Sequence, residues 1–373
     1  MEILLKLYPR INLGDDLFLK IICERYTTSN FYLLAGEEYN KLNQWPNLKV
    51  YQAGFNQSIV AKAKRYIFRN FFPSIYRNEL QKIYSDQNNH IIEQVDAFVS
   101  IGGSIFMEKY DNLFNDPELA YYNMINFRFK DKLKFFVGCN FGPYKTESYL
   151  EEYKNIFQKS TDVCFRENYS FDLFKNLEQV RIAPDVVFGM PIEQQSDTKV
   201  GSVGFSIVTP REGLDEELYC RKYAELIDSY QNSGNKVYLF SFCQEEGDEV
   251  IIEKIITFLN SNKDLERIYY KGNIDEFLKI YASMEYMFCG RFHAMILSMM
   301  YKQKIFPVIY SKKMANVLED INYSGETINI KNFGSIDVDL LKYQIENNKY
   351  CIEVQKKEAN KQFLALDKFI GYK

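Results

Sequence analysis

Residues 286–301 read YMFCGRFHAMILSMMY, and residues 305–309 follow with IFPVI. An apolar run ends at Cys289, Gly290 interrupts it, and apolar side chains then recur at helical spacing to Tyr301. Strand, glycine turn, helix and second strand follow one another without a break, which is one parallel β/α unit. The same rhythm extends outward in both directions. In the second half, strands are predicted at 202–208, 236–241, 286–289 and 305–309. Helices lie between them near 215–231, 247–260, 274–283, 291–301 and 312–319. In the first half, strands are predicted at 2–8, 30–34, 47–52, 95–101, 133–138, 161–166 and 179–182, with helices at 15–26, 57–70, 75–84, 116–129 and 147–158. Residues 191–200, PIEQQSDTKV, lack apolar periodicity and read as a linker.

The expected fold is therefore α/β: two Rossmann-like domains with parallel sheets facing a central cleft. The first domain is expected over 1–190 and the second over 191–349, with a C-terminal helical segment at 350–373 returning to the first. A chain of 373 residues has room for two such domains. Ligands of open parallel sheets bind at loops on the carboxyl ends of strands, so those loops are the place to look for chemistry.

Composition removes several classes. With 46% hydrophobic and 26% charged residues the chain is an ordinary globular protein rather than a disordered or fibrous one. A net charge of −4 argues against a nucleic-acid partner. Only two histidines are present, His90 and His293, and this all but excludes a multi-histidine metal centre; no metal and no cofactor are expected. The seven cysteines are dispersed without a Cys-x-x-Cys pair, and Met1–Leu7 lacks the features of a signal peptide. No stretch approaches the ~20 apolar residues of a membrane span. The expected location is cytoplasmic. Aromatic content is high, with 29 Tyr, 30 Phe and 1 Trp, some of which are candidates for stacking on sugar rings.

Five loops carry candidate chemistry. Asn12-Leu13-Gly14-Asp15-Asp16 follows the first strand and opens a helix, so an Asp there either caps the helix or faces a ligand. Gly102-Gly103-Ser104 closes an apolar strand and lets backbone N–H groups approach an anion or a hydroxyl. Gly138 to Tyr144 offers Asn140 and Tyr144 as sugar contacts, against a plain turn. Arg166 ends a strand, and Glu167 is placed to orient its guanidinium. The sharpest is Gly290-Arg291-Phe292-His293, where a cation meets a helix N-terminus and a histidine stands beside it.

In this order, these stretches together with Ala183-Pro184-Asp185 resemble the polysaccharide pyruvyl transferases over roughly residues 1–320. The resemblance implies a fold like that of GT-B-type glycosyltransferases. It also implies transfer of a pyruvyl group from phosphoenolpyruvate to a saccharide as a cyclic ketal, in capsular or exopolysaccharide synthesis. By the family pattern, Arg291, Arg166, His293, Phe292 and Arg211 would bind phosphoenolpyruvate, and Asn12, Asp15, Gly103, Ser104, Asn140 and Tyr144 the acceptor. His293 would be the general acid with Arg291 beside it, and Asp15 the candidate base. Relatives often carry Asp after the motif arginine; Glu167 keeps the charge.

Residues 58–84 concentrate Lys62, Lys64, Arg65, Arg69, Arg77 and Lys82 against Glu79 alone, with Phe and Ile interleaved. Such a segment fits peripheral contact with an anionic membrane, which would bring the chain to a lipid-linked saccharide at the inner face. Its other reading is a helix with an apolar face in the core and a solvated basic face. Two other functions remain open at this point: a nucleotide-sugar glycosyltransferase, and a non-catalytic saccharide-binding protein. Asp337-Val338-Asp339, the triplet considered for metal–nucleotide binding, reads as surface.

Overall fold

The computed structural model describes residues 1–8, 10–36, 39, 44–52, 59–192, 198–210 and 213–372, without the side chains of 52, 59–61 and 87–88. Arg211 lies outside the described residues. The chain divides into two compact units: Met1–Arg10, Leu19–Val186 and Asn360–Lys373 form the first, and Ile11–Phe18 with Val187–Ala359 the second.

The first unit is built on seven parallel strands: β1 (Glu2–Lys6), β2 (Asn30–Ala35), β3 (Leu48–Gln52), β4 (Ala97–Ile101), β5 (Leu133–Cys139), β6 (Asp162–Phe165) and β7 (Val180–Ile182). Their order across the sheet is β3-β2-β1-β4-β5-β6-β7. The central strands are apolar on both faces because helices cover both; all of Ala97-Phe98-Val99-Ser100-Ile101 is buried. The connecting helices are α1 (Leu13–Arg25), α2 (Ile59–Phe71), α3 (Pro73–Ile92), α4 (Pro117–Arg128), α5 (Glu147–Gln158) and α6 (Asn168–Phe174).

The second unit has six parallel strands: β8 (Ser202–Ser206), β9 (Lys236–Ser241), β10 (Leu265–Tyr269), β11 (Tyr286–Cys289), β12 (Lys304–Ile309) and β13 (Ile328–Asn329). Their order, β10-β9-β8-β11-β12-β13, is that of a dinucleotide-binding domain. Its helices are α7 (Glu216–Asn232), α8 (Asp248–Ile256), α9 (Ile274–Ala282), α10 (Phe292–Met300), α11 (Lys312–Asp320), α12 (Val338–Asn347) and α13 (Glu353–Glu358). The chain then returns to the first unit as α14 (Leu364–Ile370).

Two boundaries differ from the sequence reading. Ile11–Phe18, expected in the first domain, belongs with the second unit: Leu13 N–H donates to the Phe242 carbonyl at 3.1 Å, and the Tyr270 hydroxyl donates to Asp16 at 2.7 Å. The return to the first unit comes at Asn360 rather than 350. Two strands also escaped the sequence reading, the edge strand β10 and the two-residue β13.

The aromatic excess goes largely into cores. Phe98, Phe106, Tyr122, Phe136, Tyr153 and Phe157 interlock in the first unit, with ring centroids 5.0–6.3 Å apart and mostly edge-to-face. All seven cysteines are free thiols, six of them buried and Cys351 exposed. Asp337 accepts from the N–H groups of Asp339 and Leu340, so that acidic triplet starts α12 as a cap. Among the described residues, no group of three His, Cys, Asp or Glu could hold a metal ion. None of the described helices is long and apolar enough to cross a membrane.

Asp116 caps α4, accepting from Glu118 N–H at 2.9 Å and Leu119 N–H at 3.2 Å. It is almost fully buried, and burial pushes its carboxyl up to about 6. The folded chain therefore keeps this proton between about pH 4 and pH 6, where the unfolded chain has released it. Stability from this group falls as pH rises through that window. Asp116→Asn retains an acceptor oxygen without the charge. In urea titrations the variant should gain on the parent from pH 4 to 6, by no more than about 3 kcal/mol. A difference constant with pH would rule this out.

Candidate functional site

In the second unit, β8 and β11 lie side by side where the strand order reverses, the place where such sheets bind ligands. Gly290 follows β11. A Cβ there would lie 2.4 Å from the Ser206 carbonyl oxygen, so only glycine lets the two strand ends approach. Ser206 Oγ accepts from the backbone N–H groups of Gly290 at 2.9 Å and Arg291 at 3.1 Å. Arg291 is extended at the N-cap of α10 (φ −113°, ψ 144°), and this places His293 in the helix's first turn.

The Arg291 guanidinium is held by two carboxylates. Its Nε donates to Asp248 at 3.1 Å and its two terminal nitrogens to Asp248 and Glu246. Asp248 is fully buried and also accepts from the N–H groups of Phe242 and Cys243, both at 3.1 Å. Burial opposes the charge of Arg291, but Asp248 and Glu246 outweigh it and raise its pKa. Burial likewise pushes the Asp248 carboxyl up, against the pull of Arg291. The arginine expected to attract an anion bridges the β9 and β11 loops through these carboxylates.

His293 is half-buried, with Phe18 edge-on at 5.3 Å and Phe292 at 5.0 Å. Phe292 itself is buried, with Lys313 Nζ 5.3 Å from its ring centre. Gly14, in the first turn of α1, packs directly on the imidazole: a Cβ there would lie 2.0 Å from Nδ1. The two motifs expected to carry chemistry are therefore adjacent in this unit. Asn12 is spent locally, its side chain accepting from Gly14 N–H at 3.0 Å and its carbonyl from Asp15 and Asp16. Asp15 is half-buried in that first turn, whereas Asp16 is fully buried on Tyr270.

The first unit gathers a separate cluster on the carboxyl ends of β4 to β7. Arg166 is buried; it donates to Asp185 at 2.8 Å and to Asn140 Oδ1 at 2.6 Å. Gly103 makes room for it, since a Cβ there would lie 2.3 Å from a guanidinium nitrogen. Asn140 and Gly103 thus surround an arginine. Glu167 accepts from the Ser170 hydroxyl at 2.7 Å. Tyr144 is half-buried against Phe141, at 5.4 Å, and Ser104 is half-buried beyond Gly103. Beneath the cluster, Gln362 is buried. It accepts from Gly138 N–H and donates to the carbonyls of Phe165, Ala183 and Pro184.

Asp248, Glu246, Ser206, Tyr270 and Gln362 are the residues that sequence reading passed over. Asp248 follows Gly247 at a helix start and reads as an ordinary cap; nothing local marks it as the partner of Arg291. Removing one member of a buried, hydrogen-bonded pair leaves the other charge uncompensated, at about 3–5 kcal/mol. Asp248→Asn and Arg291→Met should each destabilise the second unit on that scale in urea unfolding. The double variant should lose clearly less than their sum; additive losses would show the pair to be uncoupled.

A family profile described as polysaccharide pyruvyl transferase matches residues 12–312. The amylovoran biosynthesis protein AmsJ of Erwinia amylovora is 19% identical over 338 residues, covering 82% of this chain and 78% of AmsJ. The UDP-GlcNAc 2-epimerase of Neisseria meningitidis, solved with UDP-GlcNAc, is 10% identical and superposes with a TM-score of 0.61 over 100% of both chains. That of Methanocaldococcus jannaschii, at 9% identity, gives 0.59 over 100% of this chain and 99% of its own. These structural likenesses establish the fold, two Rossmann-like domains of the GT-B kind. With four fifths of its length matched, the chain belongs to the polysaccharide pyruvyl transferase family.

Proposed function

We propose that this protein transfers a pyruvyl group from phosphoenolpyruvate to two hydroxyls of a saccharide, as a cyclic ketal, during exopolysaccharide or capsule synthesis. The observation that carries this is the placement of His293, in the first turn of α10 with the backbone of Gly14 against its ring. The α10 N-terminus attracts the phosphate or carboxylate of the donor, and that anion in turn favours the imidazolium. Arg291 contributes by fixing the loop that carries His293, through Asp248.

In this reading a sugar hydroxyl oxygen attacks C2 of the enol while His293 delivers a proton to C3, turning the methylene into a methyl group. Asp15 is the base that takes the proton of the attacking hydroxyl. Phosphate then leaves C2, and the second hydroxyl closes the ring there, its proton passing to the departing phosphate. Arg166, with Asn140 and Gly103 around it, belongs to the binding of the polar substrates; Ser104 and Tyr144 are acceptor contacts in this reading. The acceptor is a saccharide carried on a lipid. The reaction needs no metal or organic cofactor.

Incubation with phosphoenolpyruvate and candidate saccharides should release phosphate and form ketal, undiminished by EDTA. His293→Ala should cut turnover by roughly 10²–10⁴-fold, the usual contribution of a general acid, with the thermal transition preserved. Turnover of a nucleotide sugar with no consumption of phosphoenolpyruvate would overturn the proposal. Gly14→Ala should displace the imidazole and reduce kcat by at least about tenfold. In a His293→Ala background the same change should do nothing further; an equal loss there would show that Gly14 acts by another route.

A further inference from the structure

The helix pair α2–α3 carries a surface that neither the cores nor the clusters above use. Between Tyr66 and Ile75, five large apolar side chains stand open: Tyr66 at 69%, Ile67 at 47%, Phe71 at 70%, Phe72 at 50% and Ile75 at 44% exposure. Isolated exposed hydrophobics are ordinary, but a run this dense marks a contact surface. The same stretch is uniformly cationic. Residues 59–78 contain Lys62, Lys64, Arg65, Arg69 and Arg77 and no acidic residue, in a chain whose net charge is −4. Arg77 turns inward to Glu152, at 2.9 and 3.2 Å. Lys62, Lys64 and Arg69 stay exposed, Lys64 reaching Glu79 at 2.9 Å and Arg69 lying over the Tyr110 ring at 5.4 Å.

On α2, Ile67 and Phe71 are four residues apart and share one side, while Lys62, Arg65 and Arg69 recur at three and four residues on another. A helix of 13 residues is about 20 Å long, enough to lie along a surface and too short to cross a bilayer. Apolar side chains able to enter the acyl boundary, flanked by cations at headgroup level, are the pattern of an interfacial helix. A second copy of this chain fits poorly, because a two-fold contact would set the same cations against each other.

We propose that α2 and the start of α3 dock this protein on an anionic phospholipid surface. Ile67 and Phe71 enter the interface, Tyr66 lies at its edge beside the cations, and Lys62, Lys64 and Arg69 meet the headgroups. The contact is independent of what the protein catalyses, so it stands or falls apart from the phosphoenolpyruvate reading.

The test is flotation of the full chain with vesicles of phosphatidylglycerol and phosphatidylcholine, or of phosphatidylcholine alone. Flotation is expected with the anionic vesicles only, and loss of it when salt rises from about 0.1 to about 1 M, where the screening length falls from ~10 to ~3 Å. Lys62→Gln, Lys64→Gln and Arg69→Gln together should weaken binding on the order of 100-fold, about fivefold per cation. Ile67→Ser and Phe71→Ser together should abolish flotation while leaving the thermal transition in place, since these side chains are already exposed. Absence of flotation with anionic vesicles, or equal flotation of parent and variants, would overturn the proposal. So would a dimer detected by light scattering that the apolar substitutions dissolve without any vesicle binding.

Discussion

The close approach of β8 and β11 in the second unit constrains everything built above it. Gly290 touches the Ser206 carbonyl, and the Ser206 hydroxyl holds the next two backbone N–H groups. With those groups fixed, Arg291 must leave the strand extended, α10 must begin at Phe292, and His293 must stand in its first turn. The side chain of Arg291 then ties this corner to the neighbouring loop through Asp248, whose remaining lone pairs are taken by backbone donors. The backbone of His293 is thereby held from two directions, and Phe18, Phe292 and Gly14 pack on its ring.

The two clusters use arginine in parallel ways. In each, a guanidinium at a strand's carboxyl end is buried and paired with a carboxylate that follows another strand of the same sheet, Asp248 after β9 for Arg291 and Asp185 after β7 for Arg166. A nearby glycine keeps the backbone close in both. Such arginines shape loops more than they supply free positive charge.

Much of this was legible in the order of residues. Parallel strands buried on both faces announce themselves as apolar runs, and the Gly290–His293 corner shows its turn, its helix and its titratable group within four residues. What stayed hidden was long-range or weakly patterned. Strand β10, LERIY, lies at a sheet edge and is only partly buried, so it has no apolar run to display. Residues 338–371 carry helical spacing throughout, yet α12, α13 and α14 are separate helices shared between the two units. Gly14 and His293 each looked functional, but nothing short of the fold says that one rests on the other. For Asn12, the ordinary capping role accounts for its side chain, as local hydrogen bonding by Asn before a helix so often does.

Gln362 has a consequence for how the chain is made. Four backbone groups, on Gly138, Phe165, Ala183 and Pro184, find their partner in this one amide. During synthesis, Val186 leaves the ribosome well before Gln362 is added, a delay of roughly 10–35 s at 5–20 residues per second. For that interval the Gly138 N–H and the Ala183 and Pro184 carbonyls lack this partner, while Val187–Ala359 is made. The domain begun first is thus the one finished last.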